Sequence, residues 1–581
     1  MDNKTRNKKI AILGGGPSGL FMYKRLVESG NQSFDIHIFE RKKYLGAGMP
    51  YSPEGANEEH ITNVSDNEIP TIYNSIAEWV VSAPADLLSR FDIIAEKFNE
   101  YKVLPRLFFG AYLSSQFDLL RERAKGDGIT TNVHLEANVT AMFDDEETGL
   151  ASIQINGDEW MEFDHVIVCI GHNWPRKFED KIPGYYDSPY PPAKLKQQLN
   201  HPVAIKGSSL TAIDAIRTLA RANGTFTTGA DNKLIFNLDD SSANFRIVMH
   251  SRNGLLPAVR FHLEDSQLNG EGLLSKAELK QHLLENDGFV ALDFVFEKNF
   301  KEIFIEKNPE FYKHIKHMSI EEFVEDMMGR RENLDPFELL KQEYIEAEKS
   351  IRNQESIHWK EMLAVLSFAM NYPAKYLSAE DMQRLQKVLM PLISIIIAFV
   401  PQSSCRDLMA LHDAGVLSLV AVGDDSEVLP VDSGGINYVY TDERHQEVKE
   451  YYKTFIDCVG QPPLAFKDFP FQSLIDKGVV SPARLRFRSR KIGAEELGKG
   501  NEMVDRDQKG QYFMIVPGVR INDSFQVIDR NGFANPRIYI MAVPYIGGYN
   551  PDYSGIDFSE AASQVILNSL ITNGSSLNDN V

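Results

Sequence analysis

The chain has 581 residues, room for three or four domains at roughly 150 residues each. Its 61 Lys+Arg against 82 Asp+Glu give a formal charge of −21, which argues against nucleic acid or an anionic membrane surface as partner. With 43% hydrophobic and 25% charged residues it reads as a folded globular protein, not a disordered one.

Cys169, Cys405 and Cys458 lie too far apart for a disulfide framework, a zinc site of the usual spacing or a dithiol redox centre. The first nine residues run directly into a strand pattern, leaving no apolar leader. The longest largely apolar run, 388–400, contains Pro391 and is too short to span a bilayer. A cytoplasmic protein with no membrane partner is expected.

Lys9–Leu13 is an apolar run suited to a buried parallel strand, and it leads into Gly14-Gly15-Gly16-Pro17-Ser18-Gly19. A helical pattern follows, then a second strand, Asp35–Phe39, closed by Glu40. Each part of this strand–GxGxxG–helix–strand–acid unit has a mechanical role. Gly14 permits the tight turn, Gly16 lets backbone approach a pyrophosphate, and Gly19 brings helix and sheet together. The helix N-terminus, with Pro17 and Ser18 in its first turn, offers free N–H groups to phosphate. Glu40 can accept the ribose hydroxyls of an adenosine.

Beyond the acid, Arg41 opens a second small-residue loop through Gly46 and Gly48, where a longer cofactor could continue. Asp164–Gly171 is an apolar strand ending at glycine, and Asn535–Ala542 is another, followed by Gly547, Gly548 and a helix expected at Phe558–Leu570. The combination resembles the two-dinucleotide-binding-domain flavoproteins, in which the chain leaves the FAD domain and returns to it at the end. The resemblance implies that Gly14, Gly16, Gly19 and Glu40 hold the adenosine diphosphate half of FAD. The loop Gly46–Gly48 and the return strand would approach the ribityl and flavin half. One departure is plain: such a return strand usually ends in Gly-Asp, whereas here it reads Met541-Ala542-Val543-Pro544.

A second strand–turn–helix begins at His201–Lys206 and turns through Gly207, Ser208, Ser209, Leu210, Thr211 and Ala212. Serine and alanine replace its second and third glycines. The next strand, Phe245–His250, ends at Ser251-Arg252, where a planar cation suits a 2′-phosphate, so Arg252 is the candidate for selecting NADPH. A solvated or carboxylate-paired surface arginine is the alternative reading.

The tracts Gly46–Ser52, His60–Val64 with Asn63, Leu104–Tyr112 with Arg106, Ile182–Gly184, Gly207–Asp214 and Ser251–Pro257 follow in an order that resembles the FAD-NAD(P)-binding family related to flavin-dependent N-hydroxylating, class B-like monooxygenases, L-aspartate N-monooxygenases that form nitrosuccinate among them. The likeness is good over 9–260 and an outline over 435–570. It implies an FAD-dependent, NADPH-consuming monooxygenase that N-hydroxylates a small amine or amino acid, aspartate-like substrates included, with dioxygen through a flavin C4a-hydroperoxide. Asn63, Arg106 and Gly171 join the expected cofactor residues. Arg106, Tyr545 and Asn550 are the substrate-side candidates, with Gly547 and Gly548 allowing close approach to the flavin ring. A flavin oxidase or dehydrogenase, or a non-catalytic FAD-binding regulator, stays open as the alternative. A homo-oligomer is also open.

His314 and His317 have ligand-like spacing, but no HExxH motif or nearby third ligand supports a metal, and none is expected. His60 reads as a loop hydrogen-bonding residue. His172-Asn173-Trp174 follows the glycine of a sheet strand, where a structural tryptophan is the commoner outcome.

The expected architecture is α/β: two Rossmann-like dinucleotide-binding domains with a mainly helical insertion. Residues 1–200 and 520–581 would form the discontinuous FAD domain, and 201–260 with 430–470 the smaller NADPH domain. Residues 261–429 would form the helical insertion, leaving 471–519 as a connection. Apolar positions three and four apart mark helices at Ser319–Met328 and Pro336–Arg352, and Ser378 with Asp381 has the spacing of a helix cap. Residues 261–350 hold 21 Asp+Glu and 11 Lys+Arg, a balance of −10 that reflects solvated helix faces.

Overall fold

The computed structural model describes residues 6–171, 174–264, 274–461, 463–552 and 555–575. His172, Asn173 and Tyr553 lie outside them.

Two parallel sheets organise the molecule. The first has six strands in the order 526–528, 534–540, 165–168, 8–13, 34–40, 130–135. All neighbours are parallel except the outermost pair, 526–528 with 534–540. The register sets Ile12 beside Ile38 and Ile167, and Tyr539 beside Ile167. These strands read as continuous apolar runs because helices cover the sheet: Ile10, Ile12, Ile36, Ile38, Ile167 and Ile538 are all fully buried. Helix Pro17–Glu28 lies against helix Ile556–Ser575, joined by Ser18 Oγ to Ser559 Oγ at 3.1 Å and by Lys24 and Arg25 to Glu560. Its Tyr23 stacks on Phe117 of helix Arg106–Gly126, ring centroids 5.2 Å apart.

The second sheet has five parallel strands in the order 185–186, 454–457, 202–206, 246–251, 417–421. In each half, a three-stranded antiparallel excursion leads directly into the strand that pairs with the first one. Strands 139–145, 150–155 and 159–163 lead into 165–168; strands 427–430, 436–441 and 447–452 lead into 454–457. The halves are therefore built on one plan, α/β as expected.

Between 276 and 413 the described chain is helical. Ser319 and Ser378 cap helices Ile320–Glu332 and Ala379–Arg384, accepting from the Glu322 and Asp381 amides. The expected insertion of 261–429 ends too late. Leu417–Ala421 is the edge strand of the second sheet, and Glu427–Pro430 belongs to its antiparallel excursion. A five-residue apolar run carries no periodicity that separates strand from helix, so its sheet partner, not its own pattern, decides. The stretch 471–519 contains a third three-stranded antiparallel sheet, in the order 482–486, 512–519, 504–506.

Candidate functional site

At the first glycine turn, Gly14 has φ +106°, and a Cβ there would sit 2.7 Å from the Cys169 carbonyl oxygen. A Cβ on Gly19 would lie 2.0 Å from the Gly14 carbonyl oxygen, so this glycine sets how closely helix meets strand. Gly16 differs. Its nearest neighbour would be the Gly48 Cα at 3.3 Å, a tight contact that sets the second loop against the first but is not the outright clash found at Gly14 and Gly19. A dinucleotide backbone fits a cradle of two such loops, at the N-terminus of helix Pro17–Glu28 with Gly16 as its N-cap.

Glu40 closes the cradle. It is buried, and its carboxylate accepts from the Gly15 amide at 2.7 Å and the Lys42 amide at 2.9 Å. Two amides thus fix its orientation at the strand end, where a ribose diol would meet it. The Gly46 amide donates to the Gly15 carbonyl at 2.7 Å, laying the second loop on the first. A Cβ on Gly46 would meet Leu113 backbone at 2.6 Å, and one on Gly48 would meet Pro17 Cδ at 2.8 Å. Arg41 is exposed beside this loop, and Gly171 is exposed beyond Cys169.

The second turn repeats the first. Gly207 has φ +108°, and its Cβ would sit 2.8 Å from the Cys458 carbonyl oxygen. The amides of Gly14 and Gly207 donate to the next-to-last carbonyl of the adjacent strand, Phe39 at 2.8 Å and His250 at 2.7 Å. Those of Cys169 and Cys458 donate to Leu13 and Lys206, each at 2.8 Å. The sequence shows the same correspondence as Cys169-Ile170-Gly171 and Cys458-Val459-Gly460. This internal repeat was readable in the sequence, yet a search for tandem repeats misses it because nearly three hundred residues separate the copies.

Ser209 is the N-cap of helix Leu210–Asn223, with its hydroxyl making no cap bond, and Thr211 is half-buried in the first turn. Ser208 Oγ donates to the Leu255 carbonyl at 2.7 Å. Arg252 stands at the end of strand 246–251, its side chain 74% exposed and 3.6 Å from an equally exposed Asp424. A pair so open is weak and leaves the guanidinium able to turn to a phosphate.

Arg106 joins the two halves. Its Nη1 lies 2.5 Å from Asp214 Oδ2 on the second-turn helix, its Nε donates to the Ile61 carbonyl at 3.1 Å, and Tyr190 OH donates to the same Asp214 oxygen at 3.0 Å. Burial works against the Arg106 charge, but Asp214 outweighs it and holds the guanidinium more firmly protonated than usual. His60, fully buried, bonds through Nε2 to the Asp214 carbonyl and Thr218 Oγ1 at 3.1 and 3.0 Å, and burial lowers its pKa. Arg106 is therefore a tie between the domains, not a side chain open to a substrate carboxylate.

Around Asn63 sits a cluster that the sequence reading missed. Arg260 donates to the Asn63 carbonyl, to Glu68 and, at 2.8 Å, to Ser65 Oγ. Asp557, in the first turn of helix Ile556–Ser575, has a buried Oδ1 without a partner. Burial, then the charges of Glu68 and Asp552, push its carboxyl up to about 7. No motif connects residues this far apart.

The return loop is tightly packed. A Cβ on Gly547 would collide with Pro463 at 2.4 Å, and one on Gly548 with Val516 at 2.4 Å. The protein's own side chains occupy that space, so the bare Cα atoms are required here by internal packing. Tyr545 is buried edge-on against Phe469, ring centroids 5.4 Å apart. Asn550 lines a separate cavity toward the helical segment. His314 pairs with Asp326 at 2.9 Å, and among the described residues no cluster suits a metal ion and no helix is long and apolar enough to cross a membrane.

Fold and site together show two strand–turn–helix units of one construction, each with a left-handed glycine at the strand end and a helix N-terminus behind it. Residues 11–173 match the model of the FAD-NAD(P)-binding family, and residues 275–397 match that of the YdhS-like middle domain. The chain is 28% identical over 482 residues to the uncharacterized protein YdhS of Escherichia coli (strain K12), covering 80% of this chain and 86% of that one. A shorter stretch of 79 residues is 34% identical to the flavin-containing monooxygenase iboF of Amanita muscaria (strain Koide BX008), 14% of this chain and 13% of that protein. Among solved structures, the ornithine N-hydroxylase of Kutzneria sp. 744 aligns with TM-score 0.43 and 12% identity over 98% of this chain and 100% of that one. Cyclohexanone monooxygenase of Rhodococcus sp. Phi1 aligns with TM-score 0.43 and 12% identity over 98% and 84%.

Proposed function

We propose that this chain is an FAD-dependent, NADPH-consuming monooxygenase that N-hydroxylates a small amine or amino acid, with aspartate-like substrates in range. The observation that carries the reading is the pair of glycine turns of one construction, tied across the domain boundary by Arg106 and Asp214. Such a pair suits a resident electron acceptor facing an exchangeable hydride donor. The order of sequence tracts and the local likeness to a flavin-containing monooxygenase favour oxygen insertion over simple dehydrogenation.

Bound FAD supplies the two-electron acceptor and the means of activating dioxygen. The chain does the rest. Helix Pro17–Glu28 receives the pyrophosphate at its N-terminus and Glu40 takes the ribose hydroxyls. Helix Leu210–Asn223 offers the same to the nicotinamide nucleotide, with the Ser209 hydroxyl free to donate and Arg252 meeting the 2′-phosphate. The Arg106–Asp214 tie would hold the two nucleotide-binding halves in one relative position, which matters because small misplacements cost rate steeply.

The test is a visible spectrum of the purified protein, followed by NADPH and oxygen consumption with and without amines and amino acids. Bound flavin, substrate-stimulated consumption of both, and a hydroxylamino or nitro product are expected. Absence of flavin overturns the reading at its root. Flavin reduced by NADPH but yielding only peroxide with every amine points to an oxidase instead.

A further inference from the structure

A cavity of about 270 Å³ lies between the helical segment and helix Ile556–Ser575. That is roughly nine water volumes at ~30 Å³ each. The helix contributes Phe558, Ala561, Ala562 and Val565, one stripe at i, i+3, i+4 and i+7. Ser559 and Glu560, which bond to helix Pro17–Glu28, belong to another face. The cavity therefore opens away from the glycine turn, toward the segment that matches the YdhS-like middle domain.

Its polar groups divide into satisfied and unsatisfied ones. Asp523 accepts from Lys375 at 2.6 Å, Tyr372 at 3.0 Å and Tyr376 at 2.8 Å, which uses up both its charge and that of Lys375. Asn299 Oδ1 accepts from the Leu274 amide at 2.8 Å. Asn371 Oδ1 accepts from the Asp552 amide at 3.1 Å. Two donors remain. The Asn550 side chain is 3% exposed, lines the cavity, and its Nδ2 has no partner. Lys276, also in the lining, pairs with no carboxylate among the described residues and lies 5.8 Å above the Tyr372 ring.

A buried amide donor without an acceptor has lost its hydration with nothing in return, a deficit that a ligand oxygen would relieve. The vacancy calls for an acceptor, the lysine for negative charge, and the remaining walls, Leu279, Phe368, Phe525 and Phe558 among them, for an apolar body. We propose that this cavity binds a small monocarboxylate with an aliphatic or aromatic body. The carboxylate meets the Asn550 amide, with Lys276 supplying the counter-charge, and the body packs between the helical segment and the FAD-binding half. This site is independent of the redox reading and lies outside both glycine turns.

The probes are hexanoate and phenylacetate, titrated calorimetrically into the full-length flavin-loaded protein without reduced nucleotide, beside hexanol and hexylamine. Saturable binding of at least one acid is expected, with the alcohol and amine at least tenfold weaker. Asn550→Leu should weaken the acid tenfold or more. Lys276→Glu, at an exposed position that folding does not depend on, should do likewise. No binding of either acid, equal binding of the alcohol, or affinity unchanged in the Lys276→Glu protein overturns the proposal. Because no turnover is measured, a failed monooxygenase assay leaves this result intact.

Discussion

The two glycine turns share a backbone and differ in what they do with charge. Both place a left-handed glycine against the carbonyl of a cysteine, Gly14 on Cys169 and Gly207 on Cys458. The first then ends at a buried acid held by two amides, Glu40, and the second at an exposed base, Arg252. A buried, pre-oriented acceptor suits a ligand that stays; an exposed cation suits one that arrives charged and leaves. The positions after the turn agree. Gly19 packs its bare Cα on the Gly14 carbonyl, whereas the second helix accommodates Ala212, fully buried. The second half thus has slack where the first has none, and substitutions can measure that difference.

The largest effect should come from Gly19→Ala. Its Cβ would stand 2.0 Å from a backbone oxygen that cannot rotate away, so helix and strand must part. Overpacking of that kind costs about 3 kcal/mol, and the purified protein should carry little or no flavin by its visible spectrum. Gly207→Ala meets a milder contact, 2.8 Å, in an equally left-handed backbone. It should keep flavin and lose reduction by NADPH. If both variants lose flavin alike, the assignment of the turns to different nucleotides fails.

Next is the tie between the halves. Asp214→Asn leaves the Arg106 guanidinium buried without its counter-charge. Removing one partner of a buried pair costs about 3–5 kcal/mol, lowered here to the bottom of that range because the Ile61 carbonyl still accepts from Nε. Flavin content should hold while the single-turnover rate of flavin reduction falls at saturating NADPH. A fall in nucleotide affinity alone, with the rate unchanged, would remove the tie from hydride transfer.

How much of this was legible in the sequence follows from distance along the chain. Both turns and Glu40 occupy a contiguous stretch with fixed spacing, so their geometry is written locally. The strand at Asp164–Gly171 and the return strand near 538 were also readable, as short apolar runs ending in glycine or a loop. Arg106 stood out as a charged residue near a helix start, but its partner is 108 positions away, and only the folded sheet pairing brings them together. The Gly547-Gly548 pair was legible only in part: glycine reports a close approach without saying to what, and Pro463 and Val516 arrive from other parts of the chain. Asp557 gave no signal at all, since its environment is made by Glu68 and Asp552.

That carboxyl offers a pH test within the first half. Asp557 is pushed up to about 7 in the folded protein, against ~3.9 in the unfolded chain. Below both values each state holds the proton and nothing is lost. As pH rises from about 4 toward 7 the unfolded chain releases its proton first, so folding stability falls, and above about 7 the loss is complete. Asp557→Asn removes this loss. Melting temperatures of variant and parent should coincide near pH 4, diverge in the variant's favour up to pH 7, and run parallel beyond. A constant gap at all pH values would show that the carboxyl does not titrate in that interval.

The smallest structural effect, and the most selective functional one, belongs to Arg252→Ala. The side chain is 74% exposed and its only ion pair among the described residues is with an exposed Asp424, so the melting temperature should not move. Binding is another matter, because a guanidinium that meets the 2′-phosphate contributes a charge-assisted contact on the order of 1.5–3 kcal/mol. The Michaelis constant for NADPH should then rise about tenfold or more, with that for NADH almost unchanged. Asp424→Ala, by freeing the same arginine, should shift NADPH slightly in the opposite direction. Equal losses for both nucleotides would place Arg252 outside the phosphate site, and the contrast between a buried acid in one half and an exposed base in the other would then describe surface charge alone.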